Sequence, residues 1–171
     1  DDAAAEAVVY HARFAPTLSS VLPRLRHQPL LLQVADDSGE PLLDGALDYE
    51  TALAAASPLT ATDQRPDDLY ILYTGGTTGM PKGTLWRQAD IWAAAVGGDL
   101  LGDPDLAEVV EAAKRAGANR LLPNAPFMHG AAQWLAFRML LGGNAVVVND
   151  IIDHLDPAEV WSTVDRERCD S

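Results

Sequence analysis

One stretch of the chain, residues 73–83, combines the residue types that bind a polyphosphate. It reads Tyr-Thr-Gly-Gly-Thr-Thr-Gly-Met-Pro-Lys-Gly and follows an apolar run, 69–73, that is typical of a buried strand. Glycine permits positive φ, so successive backbone N–H groups can converge on anionic oxygens. Threonine hydroxyls add donors, and the lysine adds a mobile positive charge. We therefore predict a phosphate-binding site made by Thr74, Gly75, Gly76, Thr77, Thr78, Gly79 and Lys82.

Two other phosphate-binding loops do not fit this stretch. The P-loop of nucleotide triphosphatases requires G-x-x-x-x-G-K followed by Ser or Thr, whereas Met80 and Pro81 separate Gly79 from the lysine here. The dinucleotide fingerprint G-x-G-x-x-G fails because no glycine stands two residues before Gly76. A plain glycine-rich turn between two strands would explain the glycines alone. It would not explain three threonines and a lysine among them, so the phosphate site is the better interpretation.

The same stretch resembles the phosphate loop of the adenylate-forming (ANL) superfamily, which contains acyl-CoA synthetases, luciferases and the adenylation domains of peptide synthetases. The signature of that superfamily is T-[SG]-G-T-T-G-x-P-K-G, and every position of residues 74–83 fits it. Residues 84–87, Thr-Leu-Trp-Arg, resemble a branch of bacterial fatty-acyl and steroid-acyl CoA synthetases. The resemblance implies an AMP-dependent synthetase and ligase in which Lys82 and Thr78 are catalytic, because they stabilise the departing pyrophosphate.

A second motif lies downstream, at residues 126–130. Its sequence, Pro-Phe-Met-His-Gly, resembles the family segment P-x-F-H-x-x-G, although the final glycine is spaced differently. The resemblance implies that His129 borders the acyl substrate near its carboxylate. A histidine that caps the helix beginning near Gly130 is the alternative. Trp134 is assigned to the same acyl site, with a core aromatic as its alternative.

The implied reaction has two halves. A carboxylate attacks the α-phosphorus of ATP to give an acyl-adenylate and pyrophosphate, and the CoA thiolate then displaces AMP to give a thioester. The resemblance implies a small carboxylic acid of fatty or steroid type, ATP, Mg²⁺ and CoA as ligands, and no metal-ligating residues are predicted in this chain. Two alternatives stay open: a nucleotide-binding or regulatory module without catalysis, and an adenylation domain that loads a carrier protein.

The later motifs of the family have no counterpart after residue 149. They are the Y-G-x-T-E segment, the ribose-binding aspartate, the hinge and the catalytic lysine of the C-terminal domain. We therefore expect a middle fragment of the large N-terminal domain that is inactive by itself. A fragment of this kind exposes apolar faces and strand edges, which favour a homo-oligomer.

Composition and charge exclude several classes of protein. A net charge of −13 argues against nucleic-acid binding, and no apolar run approaches the ~18 residues needed to span a membrane. The single cysteine, Cys169, cannot form an internal disulfide, so we expect a cytoplasmic protein. Residues 71–100 are electrically neutral between two acidic regions, and we expect Lys82 and Arg87 there to attract an anion with little local repulsion.

The alternation of apolar runs and amphipathic segments predicts an α/β fold with a layered βαβ architecture and a mainly parallel sheet. The resemblance implies part of the N-terminal domain of an acyl-CoA synthetase-like fold. Three segments are predicted: a βαβ segment over 1–56, a connector over 57–68, and a phosphate-loop and acyl-site segment over 69–171. Strands are expected at 8–10, 30–34 and 83–86, from 121, and at 145–148. Helices are expected at 16–25, 48–56 and 89–100, from 103–104, at 131–141 (buried on all sides) and at 156–168, with Glu111 paired to Arg115.

Overall fold

The computed structural model describes residues 2–59, 63, 65–75, 79–98, 105–116, 118–151 and 154–170. Contacts divide the chain into two units, Asp1–Asp63 and Gln64–Ser171. The boundary falls inside the predicted connector, while the functional division of the chain into three segments stays a prediction. Among the described residues, no helix is both long enough and apolar enough to cross a membrane.

A parallel three-stranded sheet forms the frame of the first unit. Its strands are β1 (Ala7–His11), β2 (Leu30–Val34) and β3 (Leu47–Asp48), in that order across the sheet. The strands predicted at 8–10 and 30–34 and their parallel pairing are therefore confirmed.

Helix α1 (Ala15–Val21) connects β1 to β2 and is shorter than predicted. Single 3₁₀ turns flank it at Ala12–Phe14 and Leu22–Arg24, so the continuous helix expected over 16–25 is wrong at its end. Pro23 explains the difference, because its ring removes the backbone N–H that an α-helix needs at that position.

A buried glutamine, Gln33, forms hydrogen bonds inside the first unit. The apolar core around it is made by Tyr10, Ala15, Leu31 and Ala46. Gln33 is only 4% exposed, and its Oε1 accepts hydrogen bonds from the Tyr10 hydroxyl (2.8 Å) and the Leu43 N–H (3.0 Å). Its Nε2 donates to the Pro41 carbonyl at 3.0 Å. Every polar atom of this side chain therefore has a partner, which is what allows it to be buried.

Helix α2 (Tyr49–Ala55) begins at an N-cap supplied by Asp48. The Asp48 Oδ1 accepts the Thr51 N–H at 2.8 Å and the Thr51 hydroxyl at 2.6 Å. These bonds stabilise the carboxylate and lower the pKa of Asp48. The helix predicted at 48–56 is confirmed, with Asp48 as its cap.

The second unit combines an antiparallel hairpin with a parallel strand pair. Strands β4 and β5 form the hairpin, while β6 pairs with β7 in parallel, so the sheets of the chain are mainly parallel as predicted. The described elements are β4 (Leu69–Thr74), β5 (Lys82–Arg87), α3 (Gln88–Ile91), a π-helical turn (Trp92–Val96), α4 (Leu106–Ala116), β6 (Arg120–Leu121), α5 (Gly130–Leu141), β7 (Ala145–Val146) and α6 (Pro157–Glu167).

Capping groups set the helix boundaries of the second unit. The π-helical turn ends at Gly97, whose φ of 96° stops a helix. Helix α4 starts after Asp105, whose Oδ1 accepts the Glu108 N–H at 2.9 Å while Glu108 Oε2 accepts the Asp105 N–H at 3.1 Å. The start predicted at 103–104 lies outside the described residues. Asp156 caps α6 by accepting the N–H groups of the first turn, as predicted.

Three details predicted for the second unit are wrong. Lys114, not Arg115, pairs with Glu111 at 2.8 Å, because a residue three positions along is also adjacent on a helix surface. Strand β7 ends at Val146, two residues early, where the chain leaves its short pairing with β6. Helix α5 is covered on one side only. Its outer apolar side chains are at least 40% exposed in the part of the chain that the structure describes: Leu135, Phe137, Leu140 and Leu141.

Candidate phosphate-binding site

The hairpin of β4 and β5 brings two of the predicted phosphate-binding residues together. Antiparallel pairing places Thr74, the last residue of β4, directly opposite Lys82, the first residue of β5. Paired residues point to the same face of a sheet, and both of these side chains are exposed. Strand alternation then defines one face of the hairpin, which we call the lysine face: Tyr70, Leu72, Thr74, Lys82, Thr84 and Trp86.

The described ends of the loop are open to a ligand. A Cβ built on Gly75 or Gly79 would meet nothing within 4 Å, so these glycines are not needed for packing. Gly79 has a φ of 123°, a backbone conformation that residues with a side chain rarely adopt. The remaining predicted residues, Gly76, Thr77 and Thr78, lie outside the described residues.

The two basic residues of β5 have different surroundings. The guanidinium of Arg87 donates two hydrogen bonds to Asp90, each 2.8 Å long, and a third to Asp67 at 3.3 Å. These carboxylates raise the pKa of Arg87, and the Arg87 bonds lower the pKa of Asp90. Arg87 also points away from the lysine face. It is therefore not available to an anion at the loop, which corrects the expectation that both cations would attract one.

Lys82 differs from Arg87 in its surroundings. Among the described residues, no carboxylate lies within ion-pair distance of its ammonium group, and no hydrogen bond to it is formed. An exposed, unpaired ammonium at the mouth of a glycine-rich loop is suited to an incoming phosphate.

Helix α5 packs against the lysine face through its first turn. A Cβ added to Gly130 would lie 2.7 Å from Leu72 Cδ2 and 3.0 Å from Trp134 Cζ2, so only glycine fits there without a shift. The rings of Trp86 and Trp134 meet edge to face, with centroids 5.7 Å apart and planes at 75°. The segment that ends in His129 is thus held next to the hairpin that carries Lys82.

His129 is the N-cap residue of α5 but does not cap it with its side chain. Its φ and ψ are extended (−99° and 141°), its imidazole forms no capping hydrogen bond, and the residue is exposed. The backbone holds it in place, since the His129 N–H donates to the Pro126 carbonyl at 2.9 Å. The capping role that was the alternative for this residue is not seen, and its assignment to the acyl site stays a prediction.

Trp134 is half-buried between α5 and the hairpin. Its Nε1 is buried, and no hydrogen-bond acceptor reaches it from the described residues. A buried indole N–H usually has a partner, so this donor is unsatisfied among the described residues, and the assignment of Trp134 to the acyl site stays a prediction. The contact with Trp86 shows that the ring also has the packing role that was its alternative.

Two residues that connect these segments were not singled out as site residues from the sequence. The Tyr70 hydroxyl donates to Gln133 Oε1, and Gln133 Nε2 donates to the Phe127 carbonyl. The available signal was Gln133 itself, a polar residue in a helix that is otherwise almost entirely apolar.

An open cleft of about 570 Å³ lies beside the Pro126–Gly130 segment, at the carboxyl ends of β6 and β7. Pro126 and Phe127 line one side of it, and Ile151 and Leu155 line another. No group of three or more His, Cys, Asp or Glu side chains that could hold a metal ion occurs among the described residues.

The chain has relatives of known activity. It is 46% identical to the medium-chain acyl-CoA ligase Mig of Mycobacterium avium, over 98% of this chain and 31% of that protein. It is 33% identical to the 3-oxocholest-4-en-26-oate–CoA ligase of Rhodococcus rhodochrous, over 95% of this chain and 30% of that protein. The chain therefore spans about a third of the length of these relatives.

Solved structures show the same fold. The inhibitor-bound N-terminal domain of FACL13 from Mycobacterium tuberculosis matches 96% of this chain with a TM-score of 0.63, at 23% identity and over 36% of its own length. The predicted α/β fold, as part of an N-terminal domain, is thereby confirmed. The sequence profile described as AMP-binding enzyme matches residues 1–171, and the chain belongs to that family.

Proposed function

We propose that the full-length gene product is an ATP-dependent acid–thiol ligase that acts in the cytoplasm and converts a fatty or steroid-type acid to its CoA thioester. The observation that carries the proposal is that Lys82 lies opposite Thr74 at the mouth of the loop and forms no ion pair with any described residue. Its support from relatives is that two of them are named as ligases of a medium-chain acyl group and of a steroid acid.

The reaction makes and breaks two bonds at phosphorus and carbon. A carboxylate oxygen of the acid attacks the α-phosphorus of ATP, and the bond to the β-phosphate breaks to release pyrophosphate. The sulfur of the CoA thiolate then attacks the acyl carbon, and AMP leaves. The nucleophiles of this reaction are the carboxylate of the acid and the sulfur of CoA, so the contribution of the loop residues is to position charges and stabilise them.

Lys82 and the loop threonines would bind the phosphates of ATP. We assign Lys82 and Thr78 to the departing pyrophosphate, with Thr74 and the loop N–H groups holding the β- and γ-phosphates. The exposed ammonium of Lys82 and the open space at Gly75 and Gly79 suit a phosphate chain. Mg²⁺ bound to ATP would neutralise part of the phosphate charge, and this chain need not supply a metal site of its own.

His129 and Trp134 would contact the acid. We assign both to the acyl-substrate site, because the Gly130 contact with Leu72 brings their segment to the hairpin that carries Lys82. The exposed imidazole of His129 is open to the carboxylate of the acid, whereas the half-buried Trp134 would contribute its ring as an apolar surface.

Exchange of radioactive pyrophosphate into ATP tests the proposal in the full-length gene product. The exchange should require a medium-chain fatty acid or a steroid acid, and addition of CoA should yield the thioester. Binding of MgATP without exchange would favour a regulatory module, and transfer to a carrier protein instead of CoA would favour a carrier-loading domain. Either result would overturn the ligase assignment.

The chain of residues 1–171 alone should not catalyse the reaction. It spans about a third of its relatives, and the residues that we assign here concern only the phosphate chain and the acid, not the ribose or the adenine. The exposed apolar side of α5 should favour self-association of the isolated chain. Thioester formation by the purified chain would contradict the first statement, and a monomeric mass by light scattering would contradict the second.

A further inference from the structure

Gln133 forms a direct connection between the hairpin and the segment that precedes His129. It lies in the first turn of α5, and its side-chain amide forms one hydrogen bond to Tyr70 of β4 and another to the Phe127 carbonyl. We infer that Gln133 is a positioning residue, which fixes the β4–β5 hairpin, assigned to the phosphates, relative to residues 126–130, assigned to the acyl substrate. This inference rests on the proposed ligase function.

We call the two hydrogen bonds that join Tyr70, Gln133 and Phe127 the bridge. The donor and acceptor groups of these three residues allow only one arrangement of it. A backbone carbonyl only accepts, so the Nε2 of Gln133 must face Phe127. Its Oε1 then faces Tyr70, whose hydroxyl must donate. With both ends of the amide occupied, Gln133 cannot turn without losing a bond, and the bridge has a fixed orientation.

The bridge lies where a small displacement would affect the site. Tyr70 is on the lysine face, on the same strand as Thr74, and Phe127 is two residues from His129. The proposed reaction requires the carboxylate of the acid to meet the α-phosphorus of ATP, so the two segments must keep a defined separation. A misplacement of about 1 Å can slow such a step by about 100-fold.

The first unit contains the same arrangement in a different role. Gln33 accepts from the Tyr10 hydroxyl and donates to the Pro41 carbonyl. It is 4% exposed and lies in the core of that unit, whereas Gln133 is half-buried and borders the proposed site. Gln33 is therefore a matched control in which breaking the bridge should reduce stability alone.

Three variants of the full-length gene product separate the two arms of the bridge. Tyr70→Phe removes the hairpin arm, Gln133→Glu keeps an acceptor for Tyr70 but loses the donor to Phe127, and Gln133→Met removes both arms. Gln33→Met serves as the control. For each folded variant, the kcat of pyrophosphate exchange and the KM values for MgATP and the acid are measured, and hydrogen exchange is followed at the amides of 70–74 and 127–130.

The inference gives a specific pattern. Gln133→Met should lower kcat by about 10-fold or more, because both segments lose their fixed separation. Tyr70→Phe and Gln133→Glu should give smaller losses, and Tyr70→Phe should add nothing in the Gln133→Met background. Amide exchange should rise in both segments of Gln133→Met, while Gln33→Met keeps the wild-type kcat and KM.

Two results separate this inference from the proposed function. An inactive wild-type protein would end the proposed function, and amide exchange would still decide the bridge: a rise in both segments of Gln133→Met supports it, and no rise overturns it. An active wild-type protein with wild-type kinetics in Gln133→Met would overturn the inference and leave the ligase assignment standing.

Discussion

Lys82 and Arg87 stand at opposite ends of β5, and the comparison between them separates a binding group from a structural one. Arg87 is held by two carboxylates, Asp90 and Asp67, and points away from the lysine face. Lys82 lies opposite Thr74 at the loop, and no ion pair ties it to the described residues. A count of charges treats the two cations as equal. Of the two, Lys82 is the cation that no described carboxylate pairs with, so it is the one that we propose for a phosphate.

The largest effect should come from removing the charge of Lys82. Lys82→Met in the full-length gene product should slow pyrophosphate exchange by about 10- to 1,000-fold, because one donor to the departing pyrophosphate is lost. The free energy of unfolding should stay close to the wild-type value, since no described partner of Lys82 is left unpaired.

Arg87→Met is the matched control, with the same change on the same strand. It should leave the exchange rate close to the wild-type rate, because Arg87 is directed away from the loop. An equal loss in both variants would show that the two cations share one role, and the distinction drawn here would be lost.

A smaller effect should follow from a methyl group between α5 and the lysine face. In Gly130→Ala the new Cβ would lie 2.7 Å from Leu72 Cδ2. Overpacking of this kind costs about 1–3 kcal/mol, and the helix preference of alanine offsets about 1 kcal/mol of that. We expect a net loss of about 1 kcal/mol in the free energy of unfolding, measured with urea.

Gly75→Ala is the control for stability, because its Cβ would meet nothing within 4 Å. It should leave the urea midpoint unchanged. If Gly130→Ala were as stable as the wild-type protein, the contact of Gly130 with Leu72 would not be as tight as described.

The smallest effect concerns the Arg87 end of the strand. Arg87 lowers the pKa of Asp90, chiefly through their hydrogen bonds. A carboxyl group with a lowered pKa stabilises the fold at pH values above the ordinary pKa of aspartate. This contribution is lost as the pH falls through the pKa of the folded state. In Arg87→Met the pKa of Asp90 should return toward its ordinary value, as followed by the carboxyl carbon signal in an NMR titration. An unchanged pKa would mean that the ion pair does not form in solution.

Local sequence signals predicted much of the fold. The apolar runs at 30–34 and 69–73 correspond to β2 and most of β4, and Asp48 and Asp156 cap helices as their residue types indicated. These features depend on neighbours in sequence, so a single chain is enough to recognise them. The family motif at 74–83 was also recognisable, because its residues are contiguous, while its role in phosphate binding stays a prediction.

Features that depend on distant residues were not predictable in the same way. The partners of Arg87 include Asp67, twenty residues away, and the bridge at Gln133 reaches back 63 residues to Tyr70. The exposure of the outer side of α5 depends on what packs against it, whereas its composition indicated only an apolar helix. The positions of Thr77 and Thr78 stay predictions.

The most direct test of the phosphate assignment uses the lysine content of the chain, which has only Lys82 and Lys114. Reductive methylation with ¹³C-formaldehyde keeps their charge and labels both, and Lys114→Arg assigns the signals. Lys114 pairs with Glu111 on α4 and is the internal control. Addition of MgATP or inorganic triphosphate to residues 1–171 should shift the Lys82 signal and leave Lys114 unchanged. No response of Lys82 at millimolar ligand, or an equal response of Lys114, would contradict the assignment of Lys82 to the phosphates.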